Sequence, residues 1–158
     1  MKIVSLALII IGISGFVLFC CAQTERRPFV GAAKLLDYEV FKTKVEPIFL
    51  KKRGDHARCY VCHENSRVAF NLVPLSAGQD GWTEEQSRRN FQMVSALIVP
   101  GEPTKSRLLM HPLDPRAGGD PSPLGVHDGG HQFSSQDDPD WMVLADWVRK
   151  KVSTDSAQ

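Results

Sequence analysis

Cys59-Tyr60-Val61-Cys62-His63 places two thiols three positions apart and an imidazole next to the second. Thiols at that spacing can each add to one vinyl group of the same porphyrin, and the adjacent imidazole then falls beneath the iron. Cys-x-x-Cys-His is the attachment sequence of a covalent c-type haem. It predicts haem c bound through Cys59 and Cys62, with His63 as the proximal axial ligand. From background residue frequencies the pentapeptide should occur by chance in roughly one chain per thousand of this size. One motif means one haem.

Two other uses of a Cys-x-x-Cys pair fit less well. A zinc site needs a second ligand pair. The two remaining cysteines, Cys20 and Cys21, lie in the apolar N-terminal run, so distant histidines such as His111 and His127 would have to be recruited. A thioredoxin-like dithiol belongs at the start of a helix inside a βαβ unit, and no alternating strand pattern flanks this pair.

The N-terminus agrees with the haem reading without sharing residues with it. Lys2 precedes Ile3 to Phe19, which is apolar apart from Ser5, Ser14 and two glycines, as in an export or anchoring segment. Thioether attachment normally takes place outside the cytoplasmic membrane, so the expected location is the periplasmic side of that membrane. Residues 1–22 allow three fates. Cys20-Cys21-Ala22 offers a small-residue cleavage site. Leu18-Phe19-Cys20-Cys21 resembles a lipoprotein box that would lipidate Cys21, with atypical Phe19 and Cys20. Left uncut, Ile3 to Ala22 nearly reaches the ~20 residues that span a bilayer. Tethering to the membrane is the expected outcome.

Without that segment about 135 residues remain, enough for one small domain. The balance of 19 Lys and Arg against 18 Asp and Glu gives no general attraction to nucleic acid or acidic lipid. Residues 23–35 are polar, with Pro28 and Gly31, and read as a linker; 36–152 form the domain and 153–158 a flexible tail.

Four helical stretches must position the motif. Tyr38, Phe41, Val45, Ile48 and Phe49 recur at helical spacing from about Leu36 to Lys51, with Pro47 expected to bend or shorten the helix. Thr83-Glu84-Glu85-Gln86 matches a capping box that opens a helix to about Leu97; its buried stripe is Phe91, Val94, Leu97 and Ile98, and Glu84, Glu85, Arg88 and Arg89 form its solvated face. Pro100-Gly101 stops it, and a short helix from Thr104 to Met110 follows. Pro112 to Gln136 is too rich in Pro, Gly and Asp for a regular element. The last helix opens at Asp138 with Pro139 in its first turn and runs to about Val152, burying Leu144, Trp147 and Val148.

In this order the motifs resemble the monohaem class I cytochromes c, most closely the short planctomycete-type cytochrome c domain. Phe41 with Val45-Glu46-Pro47-Ile48-Phe49 resembles the family's first helix. Pro100-Gly101-Glu102-Pro103 with Ser106-Arg107-Leu108-Leu109 resembles its central turn, and Trp147-Val148 its final helix. The resemblance covers roughly Tyr38 to Lys151. It implies a small all-α domain in which the first and last helices cross and seal the haem pocket, with Phe41 and Trp147 at the crossing.

The chain departs from the family at the sixth ligand. Such domains commonly place Met-Pro about twenty residues before the tryptophan of the last helix; here the count from Trp147 reaches His127, in His127-Asp128-Gly129-Gly130-His131. The expected pair is therefore His63 and His127, with His131, His111 and Met110 as alternatives. Arg58 and Arg107 could pair with haem propionates, and His56 reads as a surface or propionate-side residue.

The function expected is single-electron transfer with a redox partner, such as a membrane-bound respiratory or photosynthetic complex, without bond chemistry at the protein. A haem-based sensor with a displaceable sixth ligand is the alternative. One haem without a distal acid–base constellation argues against peroxidase chemistry.

Overall fold

The computed structural model describes residues 31–121, 127 and 129–152. The expected signal or anchor at 1–22, most of the linker and the tail at 153–158 lie outside the described residues. Every regular element among those described is helical, and three isolated β-bridges are the only ladder pairings. The all-α expectation holds at this level. No helix among the described residues is long and apolar enough to cross a membrane.

The first helical stretch is continuous but changes its winding. It runs as α1 (Tyr38–Val40), a π-turn (Phe41–Val45) and α2 (Glu46–Leu50). Pro47 neither shortens nor ends it. Proline has no N–H to continue an α pattern, and its ring presses on the carbonyl four residues back. The backbone relieves this by widening one turn: the Glu46 N–H donates to the carbonyl of Phe41, five residues earlier. The widened turn keeps Phe41, Val45, Ile48 and Phe49 all buried on one side.

Short elements carry the chain onward. The haem-type motif is itself α3 (Cys59–His63). The capping box forms as expected: Thr83 Oγ1 accepts from the Gln86 N–H, Gln86 returns the bond to the Thr83 N–H, and α4 (Glu84–Ser95) follows. It ends two residues sooner than its apolar pattern suggests, which leaves Leu97 half-buried beyond it. A 3-10 turn (Pro103–Lys105) leads into α5 (Arg107–Met110), and α6 (Pro139–Arg149) closes the domain, with Asp138 capping the N–H groups of Asp140 and Trp141.

The first and last helical stretches meet at Phe41 and Trp147, whose ring centroids are 5.5 Å apart, and Phe91 of α4 packs on both. Trp147 satisfies its indole N–H on the Asp37 carbonyl at 2.9 Å. After α6 the chain turns extended, and the Val152 N–H donates to the Leu35 carbonyl. The stretch read as linker therefore contributes its last turn, Ala32–Leu35, to the domain, with Ala32 in the core.

Glu46 is an acidic side chain buried between helices. Its carboxylate accepts from Ser87 Oγ at 2.7 Å and Asn90 Nδ2 at 3.1 Å, and Asn90 in turn accepts from the Val73 N–H. This ties α2, α4 and the loop after α3 together. Burial outweighs those hydrogen bonds and raises the Glu46 pKa above its ordinary value. A raised pKa means that the stability it contributes is complete below the ordinary glutamate range and is lost as pH rises through the folded-state value. Wild type measured against Glu46→Gln by urea unfolding should therefore lose relative stability as pH rises above the ordinary glutamate value of about 4; a difference that stays constant as pH rises contradicts the assignment.

Candidate functional site

The motif helix α3 and the long loop between α5 and α6 face each other across a cavity of about 250 Å³, far above the roughly 15 Å³ that a single water occupies on a comparable measure. Its wall holds Cys59, Cys62, His63 and His127, the residues singled out by sequence, on a bed that includes Ile48, Phe49, Leu108, Phe133 and Leu144. Cys59 is half-buried and Cys62 exposed at the mouth. No disulfide joins the two.

Both histidines are fixed by the same local device. After α3 the chain reverses through Asn65, whose φ of 48° is one asparagine tolerates better than most residues. A bridge between Glu64 and Leu72 closes this loop. That closure brings the carbonyl of Phe70 to His63 Nδ1 at 2.8 Å. On the other side, a bridge between Leu113 and Phe133 closes the base of the loop that carries His127. His127 Nδ1 lies 2.8 Å from the carbonyl of Gly130, at the far side of a tight turn. With Nδ1 of each ring donating to a carbonyl, Nε2 of each is the nitrogen left to act as a ligand.

The rings of His63 and His127 lie 6.0 Å apart, centroid to centroid, with their planes 26° apart. Two imidazoles bound in line to one ion through bonds of about 2 Å have centroids about 6 Å apart. The separation thus suits an ion shared between them. Burial lowers the His63 pKa, with His127 and His111 adding to the effect, which favours the neutral imidazole that binds metals. Burial likewise pushes the Cys59 thiol up to about 11.

The alternative ligands separate by position. His111 is also in the cavity wall, its ring 5.3 Å from that of His127 and nearly perpendicular to it. Met110 is buried but outside the wall. His131 turns away, with Nδ1 4.0 Å from the Asp114 carboxylate. Of the two arginines considered for propionates, Arg107 lines the cavity and Arg58 does not. His56 packs beneath the turn instead: a Cβ on Gly130, whose φ is +79°, would stand 2.3 Å from its Nδ1. Only glycine fits there, for both space and backbone angle.

Sequence reasoning missed two residues that assemble this site. Arg53 forms ion pairs with Asp138 and Asp140, donates through Nε to the Gln132 carbonyl at 3.0 Å, and covers the Phe133 ring at 4.6 Å. Gln132 reaches both sides of the cavity. The partners of Arg53 lie 85 and 87 residues away, and no local pattern announces them.

Among the described residues no three His, Cys, Asp or Glu side chains stand close enough to hold one metal ion, whereas a tetrahedral zinc site needs four ligands. An apolar wall with two thiols on one side and two facing imidazoles fits a porphyrin, which brings four equatorial nitrogens of its own. No protein-family model, curated protein or solved structure matches the chain, so the chemistry rests on these residues and distances.

The two thiols differ enough to be distinguished without any cofactor. In the haem-free chain near pH 8, iodoacetamide should modify Cys62 well before Cys59, because only the thiolate reacts and Cys59 is held protonated by burial. Quenched samples resolved by mass spectrometry report the order; equal rates at the two positions would contradict the burial of Cys59.

Proposed function

We propose that the chain is a monohaem cytochrome c that passes single electrons on the periplasmic side of the cytoplasmic membrane, held there by its N-terminal segment. The observation that carries this reading is the pairing of His63 and His127 across a cavity whose wall also holds Cys59 and Cys62. The haem, when bound, supplies an iron that alternates between ferric and ferrous. Everything else falls to the chain. Cys59 and Cys62 would hold the porphyrin covalently, so the cofactor would stay with the domain through repeated turnover. His63 and His127 would hold the iron from either side and keep small molecules from it. The apolar part of the wall would pack against the porphyrin, and Arg107, which lines the cavity, would offset a propionate charge.

The resemblance to the planctomycete-type cytochrome c domain supports the reading from a second direction, through the order of its helical motifs. The redox partner fits a membrane-bound respiratory or photosynthetic complex, within reach of a tethered domain. Two imidazole ligands favour the ferric state more than a methionine thioether does, so the midpoint potential should be lower than that of a His/Met haem.

Axial ligation can be tested directly on the haem-loaded protein. His127→Ala should convert a low-spin spectrum to a high-spin one that binds carbon monoxide, His111→Ala should leave the spectrum low-spin, and His127→Met should raise the midpoint potential. A low-spin His127→Ala protein alongside a high-spin His111→Ala protein would transfer the ligand role to His111. A wild-type protein that binds carbon monoxide quickly would favour the sensor function.

A further inference from the structure

Gln132 is 4% exposed and sits in the cavity wall, yet it belongs to none of the motifs. Its side-chain nitrogen donates twice: to the carbonyl of Ala57 at 3.0 Å, two residues before Cys59, and to the carbonyl of Gly129 at 2.8 Å, two residues after His127. Two carbonyl partners fix which end of the amide is nitrogen. They leave Oε1 buried and without a partner among the described residues. The amide is thus held by its nitrogen, on one side to the chain before α3 and on the other to the turn after His127.

We propose that Gln132 is a positioning residue for the axial pair: its nitrogen clamps the His127 turn to the chain leading into α3. The proposal rests on the haem reading and deepens it. The two donated bonds span 75 and 3 residues of chain, so one amide sets the distance between the attachment segment and the turn that carries His127. The Gln132 carbonyl is held as well, by Arg53 Nε, which fixes the clamp at its root. Turns of this kind have little regular secondary structure to hold them. A side chain that binds both flanks therefore decides whether His127 stays in reach of the metal.

The full haem-loaded protein is compared with Gln132→Met, which keeps side-chain length and removes all three hydrogen-bonding positions, and Gln132→Glu, which keeps the acceptor and loses both donated bonds. Carbon monoxide association to the reduced protein is the readout, with thermal midpoint as a measure of general stability. Both variants should bind carbon monoxide about 10-fold or more faster than wild type, the usual scale for losing a partner that orients a ligand. Variants with lower thermal midpoints and wild-type carbon monoxide kinetics overturn the proposal, because Gln132 would then be ordinary packing. So does a Gln132→Glu protein that matches wild type, since the donated bonds would not matter. Wild-type protein that carries no haem sinks the haem reading itself and is told apart from either result. If neither variant retains haem, a crystal structure of the wild-type haem protein decides. Gln132 Nε2 bonded to the carbonyls of Ala57 and Gly129 with His127 on the iron supports the assignment, and His127 on the iron with either bond absent overturns it.

Discussion

The guanidinium of Arg53 joins three parts of the chain that share no helix and no ladder. It pairs with Asp138 and Asp140 at the start of α6, holds the Gln132 carbonyl and covers the ring of Phe133. Arg53 itself lies in the short segment between α2 and α3. Its side chain is 12% exposed, and the two carboxylates are 20% and 14% exposed. At that depth an ion pair is sheltered from salt, and removing one partner leaves charges stranded in a poor solvent. The start of α6 gains further, since Asp140 stands in its first turn where the helix dipole is positive. Without this contact neither the segment leading to Cys59 nor the loop carrying His127 has a fixed place against α6.

From that junction the two walls of the cavity follow. His63 ends α3 and His127 stands on a loop; a β-bridge closes the loop after His63 and another the base of the loop that carries His127, and each ring gives its Nδ1 to a carbonyl of the adjoining loop. Loops so anchored deliver a side chain to a fixed point at little cost in regular structure. The helices supply what loops cannot, an apolar floor of Ile48, Phe49, Leu108 and Leu144 held by the crossing of Phe41 and Trp147. In such surroundings imidazole prefers to be neutral and thiol prefers its proton, as the directions for His63 and Cys59 indicate. Neutral imidazole is the form that the proposed axial role requires.

What could be read from the sequence depended on how local the controlling interaction is. The capping box at Thr83 and Gln86 spans three residues and appears as written. Phe41 and Trp147 were placed together by resemblance, and they touch. Pro47 was legible as a disturbance, but not the form it takes, because whether a helix bends, ends or widens depends on what its buried face must keep in contact; here Phe41 and Ile48 both stay in the core and the turn widens. The count from Trp147 points to His127, which lies in the cavity wall with His63 and His111, whereas His131 and Met110 stand outside that wall. Arg53 and Gln132 could not be found, since their partners are distant in sequence and arginine and glutamine are ordinary surface residues.

The central claim is that Cys59 and Cys62 carry one haem through thioether bonds while His63 and His127 hold its iron. The most direct measurement is the intact mass of the exported protein, followed by the absorption spectrum of the same sample, oxidised and reduced, with and without carbon monoxide. The account predicts a mass increased by one haem that survives denaturation, localised to the peptide containing Cys59 and Cys62. It also predicts a low-spin c-type spectrum that lacks the far-red sulfur-to-iron band and ignores carbon monoxide. A chain exported with both thiols free and no visible absorption would contradict it.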